Sequence, residues 1–141
     1  MTLSNYFFPI EERPIAVHNG KDKNQSFTSP IRPHGYKAIV RADTNETISV
    51  VKSSYKIATN EKIIKDLFTQ LIPLGNAFNI DQSHSFVQNN RMRLQVTFPD
   101  ITVRDKDSSI ALSLFLSNSY DMSEGVRVYF GAIRAICSNG M

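Results

Sequence analysis

Little in this chain points to covalent cross-links, membranes or catalysis. It has one cysteine, Cys137, and no tryptophan. A single thiol excludes an intramolecular disulfide and a multi-cysteine zinc site, and it fits a reducing compartment. With no base near it in sequence, Cys137 reads as a small apolar side chain and not as a nucleophile. The six glycines and six prolines are scattered, which excludes a collagen-like chain, a phosphate-binding glycine loop and a dinucleotide fingerprint. No apolar run approaches the ~18 residues of a membrane span. The opening "MTLSNYFFPIEERPIAV" lacks the basic start and unbroken apolar stretch of a signal peptide. A cytoplasmic protein without membrane association is the expectation.

Catalytic signatures are equally sparse. There is no G-x-S-x-G elbow, and His18, His34 and His84 lie too far apart for a zinc motif, two in a polar arm and one on an expected strand. "DKDSS", from Asp105 to Ser109, lacks the glycine and closing glutamate of a calcium loop. Asp121, Ser123 and Glu124 are most simply loop-shaping side chains that hydrogen-bond nearby backbone. Neither an enzyme nor a cofactor or metal is expected.

What is present is a chain of 141 residues, 41% hydrophobic. That suffices for one domain burying roughly 70% of its unfolded surface. Sixteen basic and thirteen acidic residues leave a net charge of +3, a bias that permits nucleic-acid contact without demanding it. Residues 1–35, punctuated by Pro9, Pro14, Pro30 and Pro33, read as an irregular arm whose aromatic cluster, Tyr6 to Phe8, can dock on the domain or a partner. Residues 36–141 read as a single α+β domain.

Its periodicities are clear. "YKAIVRADTNETISVVK" is a hairpin around Asp43-Thr44-Asn45. A helix over about 60–72 follows, with Asn60 as its cap, Glu61 in its first turn and an apolar stripe of Ile63, Ile64, Leu67, Phe68 and Leu71. Asn89-Asn90 turns a second hairpin. Met92, Leu94, Val96 and Phe98 face inward, and Arg91, Arg93, Gln95 and Thr97 outward. After the turn "RDKDSS", Ile110, Leu112, Leu114 and Leu116 alternate with Ala111, Ser113, Phe115 and Ser117, and Val126 to Phe130 form a last strand. The expectation is one antiparallel sheet of about six strands backed by one amphipathic helix, in the order β-β-α-β-β-β-β. The basic and aromatic residues have two readings: a solvated sheet face whose long basic side chains discourage edge pairing, or a binding surface on which Arg91, Arg93, Arg127 and Arg134 would meet phosphates while Tyr55 and Tyr129 stack on bases. An uncovered edge strand leaves room for self-association.

Several segments carry a resemblance: "VKSSYKIATNEKIIKDLF", "NRMRLQVTFPDI" and "LFLSNSYDMSEGVRVYFGAIRAICSNGM". Together they resemble the phage/plasmid-like family of unknown function numbered nine-three-two, from about Val50 to Met141. The most specific part is Asn118-Ser119-Tyr120-Asp121, followed by Val126-Arg127-Val128 and Cys137-Ser138-Asn139-Gly140. Relatives carry a glycine after the aspartate where this chain has Met122, and the expectation is that Gly125 takes over its flexible role. They also continue into a largely helical region that has no counterpart in these 141 residues. The resemblance implies a mobile-element protein, from a phage, plasmid or prophage, with Asn118, Asp121 and Asn139 as motif residues whose role it leaves open; short polar side chains next to strands most simply anchor turns. Two functions follow as expectations: a non-enzymatic protein that binds or anneals single-stranded nucleic acid, or an anti-defence or anti-restriction factor that binds a host protein.

Overall fold

A computed structural model describes residues 2–16, 35–75, 77–105 and 108–134. The chain is an α+β domain of antiparallel sheets with one α-helix among the described residues. Among the described residues eight strands form two sheets, where the sequence pattern pointed to about six strands in one. The small sheet has the order β1 (Ile10–Pro14), β2 (Tyr36–Arg41), β3 (Glu46–Lys52). The large one runs β4 (Asn79–Ile80), β6 (Arg91–Asp105), β7 (Ser108–Ser119), β8 (Arg127–Arg134), with β5 (Phe86–Val87) also pairing β6. Helix α1 (Asn60–Leu71) lies between the sheets in sequence. Among the described residues no helix is long and apolar enough to cross a membrane.

The irregular arm is corrected in its first half. Leu3–Tyr6 form a turn of 3₁₀-helix, and Ile10–Pro14 pair with β2. Glu11, Glu12 and Arg13 hide the strand from pattern reading, yet an edge strand tolerates charge and a proline because one of its sides needs no ladder partner. Tyr6 is fully buried and Phe8 nearly so, so the aromatic cluster docks on its own domain.

The main core forms where α1 covers the inner face of β6 and β7. Ile64 and Leu71 meet Met92, Leu94, Val96, Phe98, Leu114 and Leu116, with Tyr6 closing one end. The expected inward alternation of β6 is observed. Its strand runs further than the pattern suggested: the register shifts between Phe98 and Thr102, a stretch that includes Pro99, and pairing with β7 then resumes. A proline has no N–H to donate, and a bulge accommodates it.

The helix start differs from expectation. Thr59 is the cap, its hydroxyl accepting the Lys62 N–H at 3.2 Å. Asn60 is instead the first helical residue and is buried. On the exposed face Lys62–Asp66 and Lys65–Glu61 form i,i+4 ion pairs, each contributing about 0.3–0.5 kcal/mol.

A second cluster, Phe8, Ile39, Val51 and Tyr120, docks the small sheet on the end of the large one. Val87 packs against both clusters, so the interior is continuous. Arg41 fastens the junction. Its guanidinium donates to Asp43 at 2.7 Å and to Asn89 at 2.9 Å, and it lies 4.4 Å from the Phe8 ring centre.

Candidate nucleic-acid interface

The face of the large sheet turned away from α1 carries the chemistry. Strand residues two apart share a face, so the cross-strand register decides which side chains meet. Arg93 pairs with Ser117, and Ser117 with Arg127. The next row is Gln95, Phe115 and Tyr129, and the one after is Thr97, Ser113 and Gly131. Strand spacing places the Arg93 and Arg127 backbones ~10 Å apart, with the aromatic row ~7 Å further along the strands. Two guanidiniums thus flank a hydroxyl, beside a two-ring platform. A Cβ on Gly131 would stand 3.3 Å from Cε2 of Phe115, so the missing side chain leaves space for that ring to lean over β8.

The first two of these rows line a concavity of about 180 Å3 together with His84 and Glu124. Tyr129 is 61% exposed and Phe115 37%. Gln95, expected to point outward, does lie on this face but is almost fully buried in the floor. Its backbone N–H donates to the Ser85 hydroxyl at 2.9 Å. Arg91 and Arg93 flank the Phe86 ring, each guanidinium 5.9 Å from its centre. Arg93 also faces the Glu124 carboxylate at 3.7 Å.

The residues expected to act together divide. Arg91, Arg93, Arg127 and Tyr129 share the outer face. Tyr55 does not. It packs with the second cluster, and its hydroxyl donates to the Ser119 carbonyl at 3.3 Å. The ring is committed to the interior because residues 53–59 run from the small sheet to the helix under β7. Arg134 pairs with Ile110, at the strand parity of Val128 and Phe130 and not of Arg127, and its side chain lies outside the described residues. Asn139 and Cys137 also lie outside them, as do His18 and His34.

Sequence reasoning missed Glu124, His84, Phe115 and Ser117 as members of this site. Phe115 and Ser117 were readable as one strand face, but their neighbours depend on register. His84 sits in the turn before β5 and not on a strand. Its Nδ1 lies 2.8 Å from Asp81, whose carboxyl is held below its ordinary range by hydrogen bonds from Ser83 and His84.

The motif residues form a structural knot beside this face. Asn118 donates to the Ala58 carbonyl at 2.8 Å and to Oδ1 of Asn60 at 2.9 Å. The Tyr120 hydroxyl accepts the Asn60 N–H at 2.7 Å. Tyr120 is 1% exposed, and burial, opposed by the Asn60 hydrogen bond, pushes its hydroxyl up to about 12. Asp121 accepts from Asn90 and from the Ser123 N–H, each at 2.9 Å. Burial opposes its ionisation, but hydrogen bonds from Ser123 and Asn90 outweigh that and lower its pKa. Asn118 and Asp121 therefore tie the helix start, the β5–β6 turn and the β7–β8 loop together. Met122 takes φ 65°, the left-handed conformation, whereas Gly125 does not. Met122, and not Gly125, is therefore the residue held in a left-handed conformation in this loop.

The fold and this face define a helix-backed antiparallel sheet with a basic and aromatic outer surface. The chain belongs to the family described as a domain of unknown function (DUF932), which matches residues 47–141 and so contains the whole outer face. Neither the curated proteins nor the solved structures contain a match to it.

Proposed function

We propose that this protein binds single-stranded nucleic acid across the outer face of the large sheet, acting without catalysis in a phage, plasmid or prophage setting. One observation carries the reading: register brings Arg93 and Arg127 into one row and Phe115 and Tyr129 into the next. Arginines hold phosphates, and aromatic rings stack on bases that a duplex would keep paired. A strand held this way presents its remaining bases for annealing.

Fluorescence anisotropy with labelled single- and double-stranded oligonucleotides at two salt concentrations tests it. Single strands should bind tighter, and affinity should fall with salt as counterions are released. Arg127→Gln should weaken binding and reduce the salt slope by about 0.7. Absence of binding at low salt would end this reading.

The second reading is capture of a host defence protein. Tyr6 and Phe8 no longer favour it, being buried. Val126 and Phe130 do, since they stand 47% and 57% exposed on and beside β8. It predicts no oligonucleotide affinity and a partner whose binding is lost in Phe130→Ser.

A further inference from the structure

We infer that the concavity on the outer face is a one-nucleotide subsite in which Glu124 holds the place of the phosphate. The inference rests on the single-strand reading and names where one nucleotide sits. At about 180 Å3 the space is smaller than the ~300–1,000 Å3 of drug-sized sites, the scale of one ring system with an attached anion. The Phe115–Tyr129 row offers the ring a stacking surface, and the adjoining row offers the anion Arg93 and Arg127.

Glu124 is what makes this site specific in its wiring. Its backbone is clamped at both ends by one hydroxyl: the Glu124 N–H donates to Oγ of Ser119 at 3.1 Å, and Ser119 donates back to the Glu124 carbonyl at 2.5 Å. The clamp aims a carboxylate, 9% exposed, at the Arg93 guanidinium 3.7 Å away. That distance is too long for a good charge-assisted hydrogen bond. The carboxylate thus neutralises Arg93 without saturating it. A phosphate on the Arg93–Arg127 row substitutes for it as counter-ion and gains the second guanidinium, for which no ion pair occurs among the described residues.

Two consequences follow. Glu124→Gln keeps the backbone clamp and the side-chain shape but removes the competing charge. It should tighten oligonucleotide binding about two- to tenfold at low salt, with the gain shrinking at high salt as screening grows. Wild-type protein should also bind oligothymidine more tightly than an abasic oligomer of equal length and charge, by about five- to 150-fold, the scale of one stacked base. The abasic comparison needs no variant, so it stands even where a substitution disturbs folding. Equal affinity for the abasic strand, or unchanged or weaker binding by a folded Glu124→Gln, overturns the subsite and leaves the single-strand reading intact. If no oligonucleotide binds at low salt, both fall together.

Discussion

Replacing Tyr120 by phenylalanine removes one oxygen from the interior and nothing else. The ring keeps its edge-on contact with Phe8, at 5.8 Å between centres. What disappears is the acceptor for the Asn60 N–H, 2.7 Å from the hydroxyl. That N–H is among the first donors of α1, which have no partner within the helix. Asn60 is 1% exposed, so water does not take the acceptor's place. An orphaned buried donor costs about 1–3 kcal/mol. For 141 residues an unfolding entropy of ~2.1 cal/mol/K per residue makes each kcal/mol worth about 3 °C, so Tm should fall by about 3–10 °C. The urea midpoint should drop with an unchanged slope.

The pH dependence gives an independent check of the same oxygen. The Tyr120 hydroxyl is raised from 10.0 to about 12 by burial, so the folded chain keeps a proton that the unfolded chain begins to release near 10. Its contribution is fully present below the unfolded value and is lost as pH climbs through the folded one. A two-unit shift corresponds to about 3 kcal/mol. The advantage of wild type over Tyr120→Phe should therefore shrink between pH 10 and 12, and the two stability curves converge. A variant as stable as wild type at neutral pH would refute the hydroxyl's role at the helix start, and a gap that stays constant across that window would refute the burial of its neutral form.

Asn118→Ala strips the donor from both the Ala58 carbonyl and Asn60 Oδ1; urea titration should show a loss of about 2–4 kcal/mol. Met122→Gly relieves a left-handed residue that is half exposed. The strain removed is ~1–2 kcal/mol and the added chain entropy offsets part of it, so Tm should rise by a few degrees; a fall would contradict the strain assignment. Tyr55→Phe loses only its 3.3 Å bond to Ser119, at about 0.5–1.5 kcal/mol, and oligonucleotide affinity should not change. Tyr129→Ala should do the reverse, weakening single-strand binding by at least fivefold while leaving the urea midpoint nearly where it was.

Much of the architecture was legible along the chain. The stripe Ile63 to Leu71 marked α1, the alternation from Arg91 to Phe98 marked β6, and Asn45 and Asn89-Asn90 marked turns. These signals are local: the backbone's 3.6- and 2-residue periods put a side chain on the covered or open face whatever lies opposite. Strand β1 was illegible because Glu11, Glu12 and Arg13 show no apolar alternation. It exists through pairing with β2, a partner more than twenty residues away along the chain. Two-residue strands such as β4 and β5 are too short to show a period at all.

For the candidate face, the chain by itself determined that Arg91, Arg93, Arg127 and Tyr129 point outward from their own strands. Only tertiary structure decided that Arg93 shares a row with Arg127, that Phe115 lies against Tyr129, and that Glu124 reaches Arg93 from a loop. It likewise turned Tyr55 inward and made Asn60 a buried partner of Asn118 and Tyr120. The reason is that facing is a property of each strand's own stereochemistry. Which rows meet is set by register, and register is chosen by burying the inner face of β6 and β7 under α1. A shift of one residue would turn that apolar set to solvent, so the core that never touches a ligand is what aligns the arginines.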